Sequence, residues 1–402
     1  MLKNRKYFVV FVFFIALLTG FGLFFVSNLQ KKKYFSDSSL QSLQRLNSTQ
    51  QIYMHDLLKS QDTFLQDELL FANVISPQEV SRVDHKGLIA SLHDNTVDRD
   101  VFLLLEPAQP LPDSQLMQIA AEYKELIPEF VEVELDQDIQ LTEAMTGDTD
   151  ISLPKSSDQK ENFEKSIRIG VIDSGLDTAH QLFKDKKIQQ GWNALAENNQ
   201  MYDDLGHGTH ITGIIVSRMP SVSIIPYKVV SAEEGKLSDV IKALDKAIED
   251  QVDVINMSLG FSSDSYALQE IVEEAVQDKI IIIAAAGNKS SSDPFYPASY
   301  DHVLAVAALN NFNAKMSKSN YGDWIDIAAP GYRVLSSLPN NLYGRKSGTS
   351  QATAVVTSLV ADILMKSEGP LDSEEILGEL KKHAVYNEAG LLKDIPLIQK
   401  EA

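Results

Sequence analysis

The sequence predicts an α/β fold, a predominantly parallel sheet covered by helices, preceded by a small α+β unit. Three observations carry this. From residue 166 onward, short continuous runs of β-branched residues alternate with amphipathic helical stretches, the pattern of parallel strands buried on both faces. Upstream, residues 100–135 read as strand, helix, strand, and a polar stretch without apolar periodicity divides the two regions. Finally, several polar residues fall just beyond the ends of the predicted strands, where ligands sit in sheets of this kind.

A chain of 402 residues with 44% hydrophobic and 23% charged content is globular and long enough for one large domain and a smaller one. Its formal charge is −20. Residues 1–33 hold six basic residues and no acid, so the remainder carries about −26. That surface lacks the basic footprint phosphate binding needs, which excludes nucleic acid as a partner. With no cysteine, disulfides, thiolate catalysis and cysteine-based metal sites are excluded. Neither G-x-G-x-x-G, a P-loop nor H-E-x-x-H occurs, which removes the strongest sequence cases for dinucleotide binding, nucleotide hydrolysis and zinc proteolysis.

Taken in order, Tyr7–Val26 is an almost purely apolar run of twenty residues, long enough to cross a bilayer at 1.5 Å per residue. Lys3, Arg5 and Lys6 precede it and Lys31–Lys33 follow. Small residues at Gly20 and Gly22 suit a cleaved signal, whereas the continuation Leu23–Val26 favours a retained anchor. Residues 34–80 show an amphipathic pattern through Met54, Leu57, Leu58, Phe64, Leu65, Leu69 and Leu70 and read as helical. Asp100–Glu106 reads as a strand, Ser114–Leu126 as a helix, and Phe130–Leu135 alternates as a strand. Thr142–Lys165 is a linker open to proteolysis. The expected divisions are 1–33, anchor or signal; 34–142, the small unit; 143–165, linker or processing region; and 166–402, the main domain.

In that domain Ile167–Ile172, Val222–Val230, Val252–Met257, Ile280–Ala285 and Val303–Ala307 read as strands, with helices over Leu237–Asp250 and Tyr266–Asp278. A further apolar helix begins near Ala352, and Ser373–Lys382 is helical. Three polar residues sit where this pattern breaks: Asp173 before Ser174-Gly175, His207 in Gly206-His207-Gly208-Thr209-His210, and Ser350 in Gly348-Thr349-Ser350. A serine nucleophile needs a base to take its proton; histidine does this near neutral pH, and a buried carboxylate fixes its tautomer. Glycine and threonine before a helix allow a close turn, and the unpaired N–H groups of the first helical turn attract negative charge. The competing reading makes Ser350 an ordinary helix cap. A metal pair of His207 and His210 lacks further ligands of suitable spacing, and His210 is read as structural.

Asp173-Ser174-Gly175, His207-Gly208-Thr209-His210 and Gly348-Thr349-Ser350, in that order, resemble the landmark motifs of the subtilisin family of serine proteases, the subtilases. Asn256-Met257-Ser258-Leu259-Gly260, Ala284-Ala285-Ala286-Gly287-Asn288, Phe295-Tyr296-Pro297-Ala298 and Ala328-Ala329-Pro330-Gly331 also look like family landmarks. The resemblance covers residues 166–369. It implies a subtilisin-like fold and a serine endopeptidase in which Ser350 attacks the peptide carbonyl. His207 would act as base and then acid, Asp173 would orient it, and Asn288 would bind the oxyanion. Ser258, Leu259 and Gly260 match the segment that pairs with extended substrate. Ala285, Ala286 and Gly287 match one wall of the pocket for the side chain before the cleaved bond. Phe295 stands where relatives often place a small residue; it either narrows that pocket or is ordinary core.

The resemblance implies no cofactor for the chemistry. Calcium sites are common in the family, but no complete ligand set is traceable here, and Asp177, Asp203 and Asp204 read equally well as loop acids. The chain departs from the frequent Met-Ala-x-Pro continuation, having Gln351-Ala352-Thr353-Ala354. The small upstream unit is expected to be a propeptide, removed by self-cleavage between about Leu105 and Pro154. The expected partners are a peptide or protein substrate, the chain's own propeptide and a membrane. The expected localisation is the bacterial cell membrane with the catalytic domain outside, or secretion if the N-terminal segment is cleaved. Compactness and the altered segment after Ser350 suggest a maturation protease that removes the leader of an exported bacteriocin-like precursor. The alternatives are a broad-specificity extracellular protease and a non-catalytic peptide-binding protein on the same scaffold.

Overall fold

The computed structural model describes residues 70–74, 87–94, 99–107, 112–126, 130–141, 166–232, 234–386 and 390–398. They divide into two units, Met1–Gln137 and Asp138–Ala402.

The first unit contains β1 (Leu70–Val74), β2 (Leu88–Asp94), β3 (Arg99–Pro107), helix α1 (Asp113–Leu126) and β4 (Phe130–Leu135). All pairs are antiparallel, in the order β1-β3-β2-β4. α1 packs on the sheet, and Leu116 and Ala120 are buried together with Leu88, Ile89 and Val133. The predicted strand, helix and strand are present. Leu70, read as the end of a helical stripe, instead opens β1.

In the second unit, the strands before β10 are β5 (Gln140–Leu141), β6 (Arg168–Asp173), β7 (Lys187–Ile188), β8 (Trp192–Asn193) and β9 (Ser223–Lys228). β10 (Val254–Met257), β11 (Leu259–Gly260), β12 (Ile281–Ala285), β13 (Val303–Leu309) and β14 (Ile327–Pro330) follow, then β15 (Val334–Leu338) and β16 (Leu342–Lys346). The main sheet has the order β14-β13-β12-β10-β6-β9-β7, with β8 also paired to β9, and every pair in it is parallel.

Helices α2 (His207–Arg218), α3 (Leu237–Glu249), α4 (Tyr266–Gln277), α5 (Thr349–Lys366) and α6 (Ser373–Lys381) complete the unit. Ile169, Val171, Val254, Ile281, Ile283, Leu304 and Val306 share one core with α2 and α5. Their alternate neighbours Ile172, Ile255 and Ile282 are equally buried and point to the opposite face, where α3 and α4 pack against each other and the sheet. This is an α/β fold with a parallel sheet flanked by helices.

Two helices start at side-chain caps. Ser265 Oγ accepts from Leu268 N at 3.0 Å at the head of α4, and Asp372 and Glu375 form a reciprocal box at the head of α6.

β6 has β9 on one side and β10 on the other. The chain therefore reverses direction across the sheet at β6, and the crevice of such a switch point lies beyond the carboxyl ends of its strands. Asp173 ends β6, Ser258 follows β10, and Asn288 lies three residues beyond β12.

The expected membrane localisation, and the membrane-spanning character attached to it, is corrected. Among the described residues no helix is long and apolar enough to cross a membrane. The longest of these helices, α5, has 18 residues and is a core helix carrying Gln351, Ser358 and Asp362. Tyr7–Val26, on which the expectation rested, lies outside the described residues, as does the linker from 142 to 165.

Candidate active site

The site is built at the heads of two helices. Arg218, the last residue of α2, donates from Nε to Ser358 Oγ of α5 at 2.9 Å. At the other end Lys346 Nζ reaches the Gly206 carbonyl at 3.4 Å. The helices therefore run side by side in the same direction, and their first turns, bearing His207 and Ser350, lie at one end.

The start of α2 is fixed by the loop before it. Gly206 has φ 67°, a left-handed conformation suited to glycine, and cannot cap the helix with a side chain. Ser174 and Asp203 replace that cap: Gly208 N donates to Ser174 Oγ at 2.9 Å and Thr209 N to Asp203 Oδ2 at 2.8 Å. Asp203 also accepts from Ser174 Oγ at 2.7 Å, Gly206 N at 2.8 Å and Thr209 Oγ1 at 2.6 Å. A Cβ on Gly208 would collide with the carbonyl of Gly175, so this glycine lets the helix lie directly on the turn after Asp173.

The result is a buried pair. Asp173 Oδ1 accepts from Ser174 N at 2.7 Å and lies 2.6 Å from His207 Nδ1, both residues being 1% exposed. A carboxylate can only accept, so the imidazole proton belongs on Nδ1 and the lone pair on Nε2.

Lys228, fully buried at the end of β9, supports the same turn. Its ammonium donates to the Ser174 carbonyl at 2.7 Å, Asp204 Oδ1 at 2.6 Å and the Val230 carbonyl at 3.0 Å, which satisfies all three donors. Burial works to raise the Asp204 pKa, but the hydrogen bonds from Lys228 and Ala232 N outweigh it and hold the carboxyl below its usual range.

Ser350 is in the first turn of α5. Its Oγ donates to the Ser258 carbonyl at 3.2 Å, and Ser258 Oγ donates back to the Ser350 carbonyl at 3.3 Å. Asn256 Nδ2 supports Ser258 Oγ at 3.1 Å, and Thr357 Oγ1 donates to Asn256 Oδ1 at 2.9 Å. Asn288 Oδ1 accepts from Thr349 N at 3.2 Å, which ties its carboxamide to the residue before Ser350. Gly287 N donates to Thr349 Oγ1 at 3.1 Å.

Gly260 and Gly287 lie against the Phe295 ring. A Cβ on Gly260 would stand 2.6 Å from Phe295 Cε1, and one on Gly287 3.3 Å from Phe295 Cδ1. The ring is 4% exposed and fills the space between these two backbones. Ala285 ends β12, and the Ala286 carbonyl accepts from Asn320 Nδ2 at 2.8 Å.

Gln351 is buried, and its carboxamide has no hydrogen-bond partner among the described residues. Burial, ahead of the nearby Lys346 charge, pushes His210 down to about 3, so its ring is neutral; Nε2 meets the Gly344 carbonyl at 3.2 Å.

Asp177, Asp203 and Asp204 are each engaged by hydrogen bonds within the fold. Asp177 accepts from Ala179 N and Asn340 N, and the other two are engaged as above. Among the described residues no three acids or histidines cluster as metal ligands would.

One pairing had no sequence signal. β5 lies antiparallel on β11, with Gln140 opposite Gly260 and Leu141 opposite Leu259. On its other edge Ile139 N donates to the Gly235 carbonyl at 3.0 Å. The segment from Asp138 to Leu141 is thus held as an added strand on the residues read as substrate-binding. Asp203, three residues before the left-handed Gly206, could have been found as a capping acid; Lys228, Asn320 and Thr357 carry no local signal.

The family model described as the Subtilase family, Peptidase S8, matches residues 164–394. The chain belongs to the subtilase family. It is similar to Subtilisin amylosacchariticus of Bacillus subtilis subsp. amylosacchariticus, 39% identical over 216 residues that make up 50% of this chain and 56% of that protein. It is also similar to the Minor extracellular protease Epr of Bacillus subtilis (strain 168), 35% identical over 233 residues, 55% of this chain and 35% of that protein. This subtilase spans about half the length of the curated relatives it matches. A solved structure described as a cold adapted subtilisin-like serine proteinase is 28% identical with a TM-score of 0.55, covering 62% of this chain and 94% of that one.

Proposed function

We propose that this subtilase is a broad-specificity serine endopeptidase that cleaves peptide bonds through an acyl-enzyme on Ser350. One observation carries the reading: the buried hydrogen bond between Asp173 and His207 Nδ1, at the same end of the paired helices α2 and α5 as Ser350. Ser350 Oγ adds to the scissile carbonyl as its proton passes to His207 Nε2. The oxyanion is held by the Asn288 side-chain NH2 and the N–H of Ser350. His207 returns the proton to the departing amine, and the acyl ester remains on Ser350. Water then attacks by the same route in reverse, releasing the acid and restoring the serine. Asp173 keeps the imidazole in the required tautomer and stabilises its charged form. Removal of one oxyanion donor in subtilisin, a relative of this chain, costs about 2.7–4 kcal/mol, and a loss on that scale is expected for Asn288.

The relatives are named as subtilisins and serine proteinases, which favours general proteolysis over a dedicated leader-removing role; the compact architecture and Gln351 do not by themselves specify a leader. The first unit, with the segment that follows it, acts as a propeptide. What supports this is the seating of Gln140–Leu141 as a strand on Leu259–Gly260, an edge-strand mode by which extended peptides are recognised. The test is hydrolysis of unrelated unfolded proteins by the full chain and by Ser350→Ala. Cleavage at many sequences by the first and none by the second is expected. Equal activity in both would reject Ser350 as nucleophile, and cleavage of a single sequence would reject broad specificity.

A further inference from the structure

The Gln140 side chain points to a recognition element beyond the backbone pairing. Its Nε2 donates to Ser262 Oγ at 2.8 Å, and Ser262 Oγ lies 3.2 Å from Gln140 Oε1. Lys289 Nζ donates to the same hydroxyl at 3.1 Å. Ser262 and Lys289 are both exposed, so the pair faces whatever lies on β11. The loop bearing Lys289 is anchored from beneath: Lys289 N and Ser291 N both donate to Asn320 Oδ1, at 2.9 and 3.1 Å, and Asn320 is buried. Among the described residues no carboxylate lies within salt-bridge distance of Lys289.

Resting on the protease reading, we propose that Ser262 and Lys289 form a specificity subsite for a glutamine or glutamate side chain at the substrate position held by Gln140. Its place relative to the chemistry follows from register. Gln140 stands opposite Gly260, two residues beyond Ser258, whose carbonyl takes the Ser350 hydroxyl. The recognised side chain therefore lies two residues before the one that pairs at Ser258. A hydroxyl and an ammonium offer donors, and the hydroxyl also accepts, which suits a carboxamide; a carboxylate gains the charge of Lys289. A lysine at this position meets a like charge.

The experiment uses the active form of the full chain and four peptides copying residues 139–144, with Gln, Glu, Ala or Lys at the position of Gln140. The Glu and Gln peptides should exceed the Ala peptide in kcat/KM by about two- to fivefold, the scale of one exposed ion pair or hydrogen bond. The Lys peptide should fall below the Ala peptide. Lys289→Glu should invert the Glu-to-Lys ratio, and high salt should compress the Glu advantage, since screening shortens the Debye length to about 3 Å at 1 M. Hydrolysis of all four peptides with one unchanged order in wild type and Lys289→Glu would overturn the subsite and leave the protease reading standing. Failure to hydrolyse even the Ala peptide, with no reaction of Ser350 toward a fluorophosphonate, would overturn both.

Discussion

Ser350 Oγ and the carbonyl oxygen of Ser258 are 3.2 Å apart, with the serine hydroxyl donating. The residue proposed as nucleophile is thus joined to the residue that begins the segment proposed to pair with substrate. The added strand at Gln140–Leu141 pairs with Gly260 and Leu259 and runs toward Ser258, which supplies the register for the first prediction.

Self-cleavage is expected within the two or three residues that follow Leu141, because the next pairing position on that strand is Ser258, beside Ser350. Intact mass and N-terminal mapping of wild type should give a fragment beginning near Glu143 that Ser350→Ala lacks. A boundary upstream of Asp138 or beyond Pro154 would contradict this register, and identical fragments in both proteins would reject self-cleavage.

Asp173→Asn should keep the fold and lose activity. The asparagine preserves the shape beside His207 Nδ1 but no longer enforces the tautomer with Nε2 ready to accept a proton. A fall in kcat of about 10⁴ is expected, by analogy with the serine-protease case from which that magnitude comes, with an unchanged circular dichroism spectrum. A loss under tenfold would remove Asp173 from its proposed role.

Phe295→Gly should open a pocket between Gly260 and Gly287, where the ring now lies. Peptides with a large apolar residue before the cleaved bond should gain on those with alanine there, by on the order of tenfold, since even one methylene in an apolar pocket is worth about 10-fold or more. A ratio of the two kcat/KM values that stays at its wild-type level would assign Phe295 to the core alone.

His210 gives the domain an acid sensitivity separate from catalysis. Its folded pKa is depressed to about 3 by burial first and Lys346 next, while the Gly344 carbonyl opposes the shift. The unfolded chain takes up the proton near the ordinary histidine value of about 6.5. The stabilisation is therefore fully present above about 6.5 and is lost progressively as pH falls toward 3. Denaturant unfolding in a Ser350→Ala background, where autolysis is absent, should show stability falling through this window. His210→Gln, a neutral side chain that can still donate to Gly344, should flatten the slope; an equal slope would show that other groups cause it.

The sheet was legible because its strands are continuous apolar runs such as Ile280–Ala285, and the helix heads were legible where glycine-rich turns interrupt them. The β15–β16 hairpin was missed: Ser336 and Ser337 break its apolar pattern, being buried to donate to the α2 carbonyls of His210 and Thr209. Its turn did carry a signal, since Asn340 and Asn341 adopt left-handed backbone at φ 64° and 60°. The seat of Lys228 could not be read, because an isolated lysine after a strand gives no sign that two carbonyls and an aspartate will surround it. The pairing of β5 on β11 joins positions about 120 residues apart through two-residue strands, too short for periodicity to register.

The central claim is that Ser350 is activated by the His207–Asp173 pair, and reaction with a fluorophosphonate tests it most directly. The full chain should acquire one adduct, mapped by mass spectrometry to the peptide containing Ser350. His207→Ala should label far more slowly, and Ser350→Ala not at all. An adduct on another serine, or labelling of Ser350 at the same rate without His207, would contradict the account.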